Sequence, residues 1–397
     1  MPTANTTEEI STAEIRDAVA APEAETMYAA VYRGQGAISV DAIPVPEIGP
    51  GEILIRVEAC GICPTDLKKI AYDLLPPPRV YGHETAGVVA KVGAHVTRYA
   101  PGDRVIVFHH IPCGTCFYCE RNMYAQCPVY KKVGVTAGFE PAGGGFSQYV
   151  RVMDWIVERG VEKIPDGVSF DRATFVEPVN TCLKGFKQID PQPGEVCVIL
   201  GQGPIGLVFT MMAARLEQMR GDAPTVGNKS TSPGGLRVVV TDTMASRRAL
   251  ALRFGAEAAY DPLDKENPNA LRDHVNKITD DRGADLVIVA ASAPGIAAQA
   301  VACSRPGARI LLFAQTSHQE RVEISGADIC VGERTILGSY SASVDLQAES
   351  ANLVFSGILP LEELISHRYP LAQVHQGIDR ALHPDPLSLK IVIKPQQ

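Results

Sequence analysis

The chain has 397 residues, 46% of them hydrophobic, and a formal net charge of −8. That is apolar material for two cores; the lack of a long basic run excludes a nucleic-acid partner, and no apolar run approaches the roughly 20 residues of a membrane helix. Residues 1–26 carry neither a basic start nor an apolar centre, so the ten cysteines are expected to bind metal or lie buried as thiols in a cytoplasmic protein.

In chain order, residues 1–26 read as a flexible extension rich in Ala, Glu and Thr, with only a weak helical pattern from Thr12 to Ala20. From Met27 the text changes. AAVYRG, ISVDAIPVP, EILIRVEACGIC and GVVAKVGAHV are divided by Gly and Pro turns and predict strands, in a region that looks all-β to about Ile164. Inside it Cys113, Cys116, Cys119 and Cys127 follow the spacing C-x2-C-x2-C-x7-C. Four thiolates so spaced can wrap one tetrahedral ion, for which zinc is the usual occupant.

Helical signals begin after Phe170, with DRATFVEPVNTCLKGFKQI expected as one helix. VCVIL, a helix from Pro204 to about Leu216, VVVTD, ADLVIVAAS, ARILLFAQ and TILGSYS follow. Short apolar runs alternating with helices predict a parallel sheet covered on both faces, a doubly wound α/β domain. The tail mixes helix and strand and is expected to rejoin the first domain. The expected organisation is therefore a first domain at 27–178 with the cysteine lobe at 113–127, a second at 179–340, and a return over 341–397.

Gly201, Gly203 and Gly206 form G-x-G-x-x-G directly after the strand VCVIL and at the start of a helix, the setting in which this pattern binds a dinucleotide. The first glycine permits the tight turn, the second lets backbone approach a pyrophosphate, and the third lets helix and strand pack closely. Asp242 ends the next strand, where a carboxylate accepts from the adenosine ribose and repels a 2′-phosphate, favouring NAD; Arg247 and Arg248 follow and argue the other way. Asp242 stands 36 residues beyond Gly206, because a polar insertion at 217–235 lengthens the connection. Such surface loops cost little free energy.

A second metal cluster is dispersed. Cys60 and Cys63 lie in ACGICPTDLKK, His83 and Glu84 in YGHETAG, and Glu177 in FVEPVNTC. One thiolate, one imidazole and a carboxylate make a three-ligand zinc site with a position open for water or substrate. His109 and His110 precede a lobe that already has four ligands, and are expected to pack or to line a rim.

These segments resemble the zinc-containing medium-chain alcohol dehydrogenases. GICPTD, GHETAGVVAKVGAHV, the four-cysteine lobe, PGDRV and GQGPIG fall in that family's order over roughly residues 27–397, and Glu177 in its E-P setting is similar to the polyol, sugar and threonine dehydrogenase branch. The resemblance implies a GroES-like, mostly-β catalytic domain with a Rossmann domain. It implies Cys63, His83 and Glu84 as catalytic zinc ligands, with Glu177 binding directly or through water. It implies Asp66 as the carboxylate orienting His83, and Thr65 as the hydroxyl that takes the substrate proton. Cofactor contacts are implied at Gly201, Gly203, Pro204, Ile205, Gly206, Asp242, Arg247, Ala314 and Ser339. Lys68 stands where the family commonly has the histidine that ends a proton relay.

The implied activity is reversible hydride transfer from a secondary alcohol to NAD, with two zinc ions per chain, an alcohol or ketone substrate and a homodimer or homotetramer. The rival readings are an alkene or quinone reductase of the same superfamily, which lacks these ligands, and a dinucleotide-sensing protein with an inactive site.

Overall fold

The computed structural model describes residues 25–130, 132, 134–139, 143–221, 235–314 and 321–397. The extension at 1–26, apart from Glu25 and Thr26, and the insertion at 217–235, apart from 217–221 and Gly235, lie outside the described residues. The chain divides into two units. Unit 1 runs to Thr174 and adds Arg368–Asp379 and Val392–Gln397; unit 2 comprises Phe175–His367 and Arg380–Ile391. No helix among the described residues is long and apolar enough to cross a membrane.

Unit 1 contains β1 (Thr26–Gly34), β2 (Ala37–Pro44), β3 (Ile53–Gly61), α1 (Pro64–Ala71), β4 (Arg79–Val80), β5 (Glu84–Val92), β6 (Arg104–Val107), β7 (Tyr149–Val152), α2 (Asp154–Arg159), β8 (Val161–Lys163) and α3 (Phe170–Ala173). β2-β1-β4 form a small sheet, while β3, β5, β6 and β8 run consecutively in a larger one, with β7 on β3. The alternation of β-branched and small residues in β3 and β5 buries most of both strands. Their register sets Gly61 opposite Glu84. Two residues past Gly61 and one before Glu84 are Cys63 and His83, so strand pairing alone brings the dispersed segments together.

The region is not all-β. Cys63 caps α1, its sulfur accepting from Thr65 N at 3.5 Å while its own N–H donates to Asp66 Oδ2 at 3.4 Å. Pro64 in the first turn supplies a preset φ where no donor is required. The capping pattern, Cys-Pro-x-Asp, was the available signal for this helix.

Unit 2 contains α4 (Val176–Ile189), β9 (Val196–Leu200), α5 (Pro204–Ala214), α6 (Leu216–Arg220), β10 (Arg237–Thr241), α7 (Ala245–Arg253), β11 (Ala258–Tyr260), α8 (Ala270–Thr279), β12 (Ala284–Val289), α9 (Ile296–Ala302), β13 (Ser304–Leu312), α10 (Gly326–Cys330), β14 (Thr335–Gly338) and α11 (Gln347–Phe355). Six strands pair in parallel in the order β11-β10-β9-β12-β13-β14. Counted from β9 this is 3-2-1-4-5-6, the doubly wound dinucleotide-binding order, whose direction reverses between β9 and β12. β9 is buried along its whole length, as a central strand covered on both faces must be.

The helix expected from Asp171 to Ile189 is two, α3 and α4. Pro178 explains the break: it has no N–H for the Thr174 carbonyl and its ring would clash there, so a helix can start shortly before it but cannot run through. Near the C-terminus come β15 (Ile365–Pro370), α12 (Val374–Leu382) and β16 (Lys390–Lys394). Val392 and Ile393 of β16 pair with Gly61 and Cys60 of β3.

Candidate active site

In unit 1 the ligand atoms of Cys63, His83 and Glu84 lie within 4.8 Å of one another. His83 and Glu84 are buried, and Cys63 is half-buried at the mouth of α1. His83 Nδ1 lies 3.0 Å from Asp66 Oδ1. A carboxylate there holds the proton on Nδ1, which leaves the Nε2 lone pair as the ligand. Burial alone would push the His83 imidazole down; Asp66, followed by Cys63, outweighs it and holds the group well above its ordinary range. Burial likewise raises the Asp66 carboxyl, and His83 with Lys69 more than reverses that. One thiol, one imidazole and one carboxylate at this separation fit zinc.

Thr65 and Lys68 follow on α1, both half-buried, so the proton-handling candidates share the helix that Cys63 caps. Glu177 is buried in the first turn of α4 and belongs to unit 2. Cys60 is fully buried beside Thr85, with Sγ and Oγ1 3.6 Å apart, and burial pushes its thiol far up; it is a packing residue.

His109 and His110 are buried and pack as expected, in a row of rings. Ring centroids step from His83 to His109 at 5.2 Å, His109 to His110 at 4.7 Å, and His110 to Tyr130 at 5.6 Å. Tyr130 donates its backbone N–H to Cys127 O at 3.1 Å. A buried row of rings thus joins the three-ligand cluster to the base of the cysteine lobe. Sequence spacing carries no signal for it.

The four sulfurs of Cys113, Cys116, Cys119 and Cys127 also lie within 4.8 Å of one another. Cys113 Sγ is 3.9 Å and Cys116 Sγ 3.5 Å from Cys119 Sγ. Hydrogen bonds from Thr115 hold the Cys113 thiol down at about 6, while burial and the neighbouring thiols push Cys119 up to about 12. A set this close fits a tetrahedral ion with no position left over.

In unit 2, Gly201 has φ +96°, and a Cβ there would meet Ala291 Cβ at 2.4 Å. A Cβ on Gly206 would strike Gly201 O at 1.9 Å. Gly203 differs: its φ is −65° and a Cβ would meet nothing within 4 Å. The fold does not require glycine at 203, whereas an anion close against the start of α5 would, where Pro204, Ile205 and Gly206 form the first turn.

Asp242 Oδ2 accepts from Gln202 N at 2.7 Å, and Oδ1 accepts from Met244 N at 2.8 Å. The carboxylate therefore ties the glycine turn to the end of β10, and spare lone pairs on both oxygens can still accept ribose hydroxyls. Gln202, absent from the expected set, folds under the turn: its Nε2 donates to Gly201 O at 3.0 Å and its Oε1 accepts from Thr210 at 2.8 Å. Arg248 is committed to Asp261 Oδ2 at 3.0 Å and to Asp242 O at 2.7 Å, whereas Arg247 makes a longer contact of 3.3 Å to Ser388 O. Ala314 and Ser339 stand just past β13 and β14.

Comparison with known proteins gives the chain's relatives. The family profile "Alcohol dehydrogenase GroES-like domain" matches residues 49–166, and "Zinc-binding dehydrogenase" matches residues 232–355. A sorbitol dehydrogenase from Bacillus subtilis (strain 168) is 28% identical over 378 residues, covering 94% of this chain and 98% of its own. An L-threonine 3-dehydrogenase from Pyrococcus horikoshii is 30% identical over 346 residues, 85% and 89% of the two chains. Among solved structures, a zinc-binding dehydrogenase from Sinorhizobium meliloti 1021 bound to NADP superposes with a TM-score of 0.80 at 29% identity, covering 94% of this chain and 100% of its own.

Proposed function

Because the chain belongs to the zinc-binding medium-chain alcohol dehydrogenase family, in its polyol and threonine dehydrogenase branch, we propose that it interconverts a secondary alcohol of the polyol, sugar or hydroxy amino acid class and its ketone, with NAD as hydride carrier, at the Cys63–His83–Glu84 cluster. The convergence of those three ligand atoms beside the Asp66–His83 pair carries the reading.

Cys63, His83 and Glu84 would hold a catalytic zinc, with Glu177 completing the set directly or through a water. When bound, the zinc supplies Lewis acidity to the substrate oxygen and the nicotinamide supplies the hydride acceptor. Asp66 keeps His83 in the ligating tautomer. The Thr65 N–H supports the Cys63 sulfur, and its hydroxyl takes the substrate proton; Lys68, one turn along α1, is the candidate group beyond it. The four-cysteine lobe would hold a second zinc that serves the fold.

The carboxylate of Asp242 and the prior engagement of Arg248 support NAD over NADP. NADP is the second reading, favoured by the loosely held Arg247 and by the ligand of the Sinorhizobium relative. The family resemblance supports a homodimer or homotetramer. A steady-state screen of polyols, sugars, threonine and simple secondary alcohols, run with NAD and with NADP alongside metal analysis, tests the whole. Turnover with two zinc ions per chain is expected; activity that survives complete removal of the chelator-labile ion would overturn it.

A further inference from the structure

The parallel register of unit 2 aligns the strand ends in one row: Thr241, Leu200, Val289, Leu312 and Gly338 are successive cross-strand partners. One residue further on stand Asp242, Gly201, Ala290, Phe313 and Ser339. With the glycine turn at β9 and the adenosine carboxylate at β10, the other nucleotide half must run the opposite way, over β12, β13 and β14. Ser339 ends that row, three strand spacings or roughly 14 Å from Gly201. It is 8% exposed, and its Oγ has no hydrogen-bond partner among the described residues.

The segment from Ser339 to Gln347 is held on α4 in an unusual way. Asn180 is fully buried, and its carboxamide pairs with Ser343 in both senses: Nδ2 donates to Ser343 O at 2.9 Å and Oδ1 accepts from Ser343 N at 2.8 Å. Nδ2 also reaches Gln347 Oε1 at 3.4 Å. One turn along, Lys184 Nζ donates to Tyr340 O at 2.8 Å and to Ser341 O at 3.4 Å. Burial pushes the Lys184 ammonium down, with Asp345 opposing. Ser341, between these anchors, has φ +62°, which a non-glycine residue adopts only when its surroundings impose it. Burying an amide and half-burying an ammonium to pin one strained turn is costly unless the conformation of that turn matters.

We propose that Asn180 and Lys184 are positioning residues for the nicotinamide half of the cofactor: they lock the Ser339–Ser343 turn onto α4 so that Ser339 Oγ is presented to the bound dinucleotide. This rests on reading the strand-end row as the dinucleotide site. Neither residue touches the cofactor; both act through the turn.

The test titrates the metal-loaded full-length protein with the tighter-binding of NADH and NADPH, and separately with ADP-ribose, which lacks the nicotinamide. Asn180→Ala and Lys184→Met should each raise the reduced-cofactor Kd about tenfold, the worth of one or two lost hydrogen bonds, with ADP-ribose within about twofold of wild type. Lys184→Arg should restore most of the affinity. Asn180→Ala should add little on top of Ser339→Ala, because both act at one point. Hydrogen exchange of the cofactor-free protein should show the 339–346 amides opening in Asn180→Ala. Equal weakening of both ligands, or of neither, overturns the clamp. Full additivity with Ser339→Ala overturns it as well. Failure of the wild type to bind either reduced cofactor would instead bring down the dinucleotide reading, and the clamp with it.

Discussion

The four-cysteine lobe and the Cys63–His83–Glu84 cluster lie in one unit and gather donor atoms equally closely, yet they are built in opposite ways. The lobe draws all its donors from 15 consecutive residues, Cys113–Cys127, held by one-turn helices and partly open to solvent. The other cluster takes one donor from a helix cap and two from the start of a strand, on a buried carboxylate and a row of rings. A set of four like donors has no vacant position and can only support structure. A set of three unlike donors, braced from behind, leaves a position for chemistry.

The contrast can be broken at either end. Cys116→Ser should have the largest effect on stability: one metal per chain is lost, and with it about 5 kcal/mol of the ~10–16 kcal/mol a structural zinc contributes, lowering the Tm by roughly ten degrees or more. Differential scanning calorimetry with metal analysis reads this, and an unchanged Tm would show that the lobe is ornamental. Cys63→Ser should do the reverse, cutting turnover by ~10³-fold, or about 4 kcal/mol, with little change in Tm. Asp66→Asn sharpens the comparison by leaving the ligands intact while removing their brace; metal affinity or activity should fall about 10–100-fold, checked by competition with a chelator.

The glycine turn repeats the distinction between what the fold requires and what a ligand requires. Gly203→Ala meets no clash. It should leave stability unchanged while weakening NADH binding by about tenfold, near 1.4 kcal/mol, whereas Gly206→Ala should damage the fold itself. A comparably small effect, on stability alone, is expected at a metal-free control. Asp171 Oδ1 accepts from Lys394 at 2.7 Å and Oδ2 from Arg368 at 2.6 Å; burial raises its carboxyl, but these two cations bring it below its ordinary 3.8. Asp171→Asn should cost about 1–2 kcal/mol at neutral pH, discounted for the exposed Arg368, with no loss of metal. A depressed folded value means the stabilisation is complete above the ordinary value and disappears as pH falls through the folded one, so the deficit measured by denaturant should shrink below about pH 4.

Much of this was legible in the text of the chain. The glycine pattern after VCVIL, the cysteine spacing and the alternation of short apolar runs with helices are local properties, and each was visible with its context. α1 is hard to see in the sequence because its capping pattern is short and lies among strands. The break before α4 rests on one residue, Pro178 and its missing N–H, inside an otherwise helical pattern. Gln202 under the glycine turn, the rings from His83 to Tyr130, and the pairing of Asn180 with a backbone 163 residues away left no mark that spacing could reveal.

The sequence by itself determined where each turn, cap and thiolate group can form, because those depend on a few neighbouring bonds: positive φ at Gly201, a closed loop of four sulfurs, Pro64 behind a cap. Tertiary structure alone decided which distant groups meet. Strand register carried Cys63 to His83 and aligned Asp242, Gly201 and Ser339 along one edge, and the same fold set Asp66 against His83. Those outcomes depend on pairing partners and on excluded water, and neither is a property of any single segment.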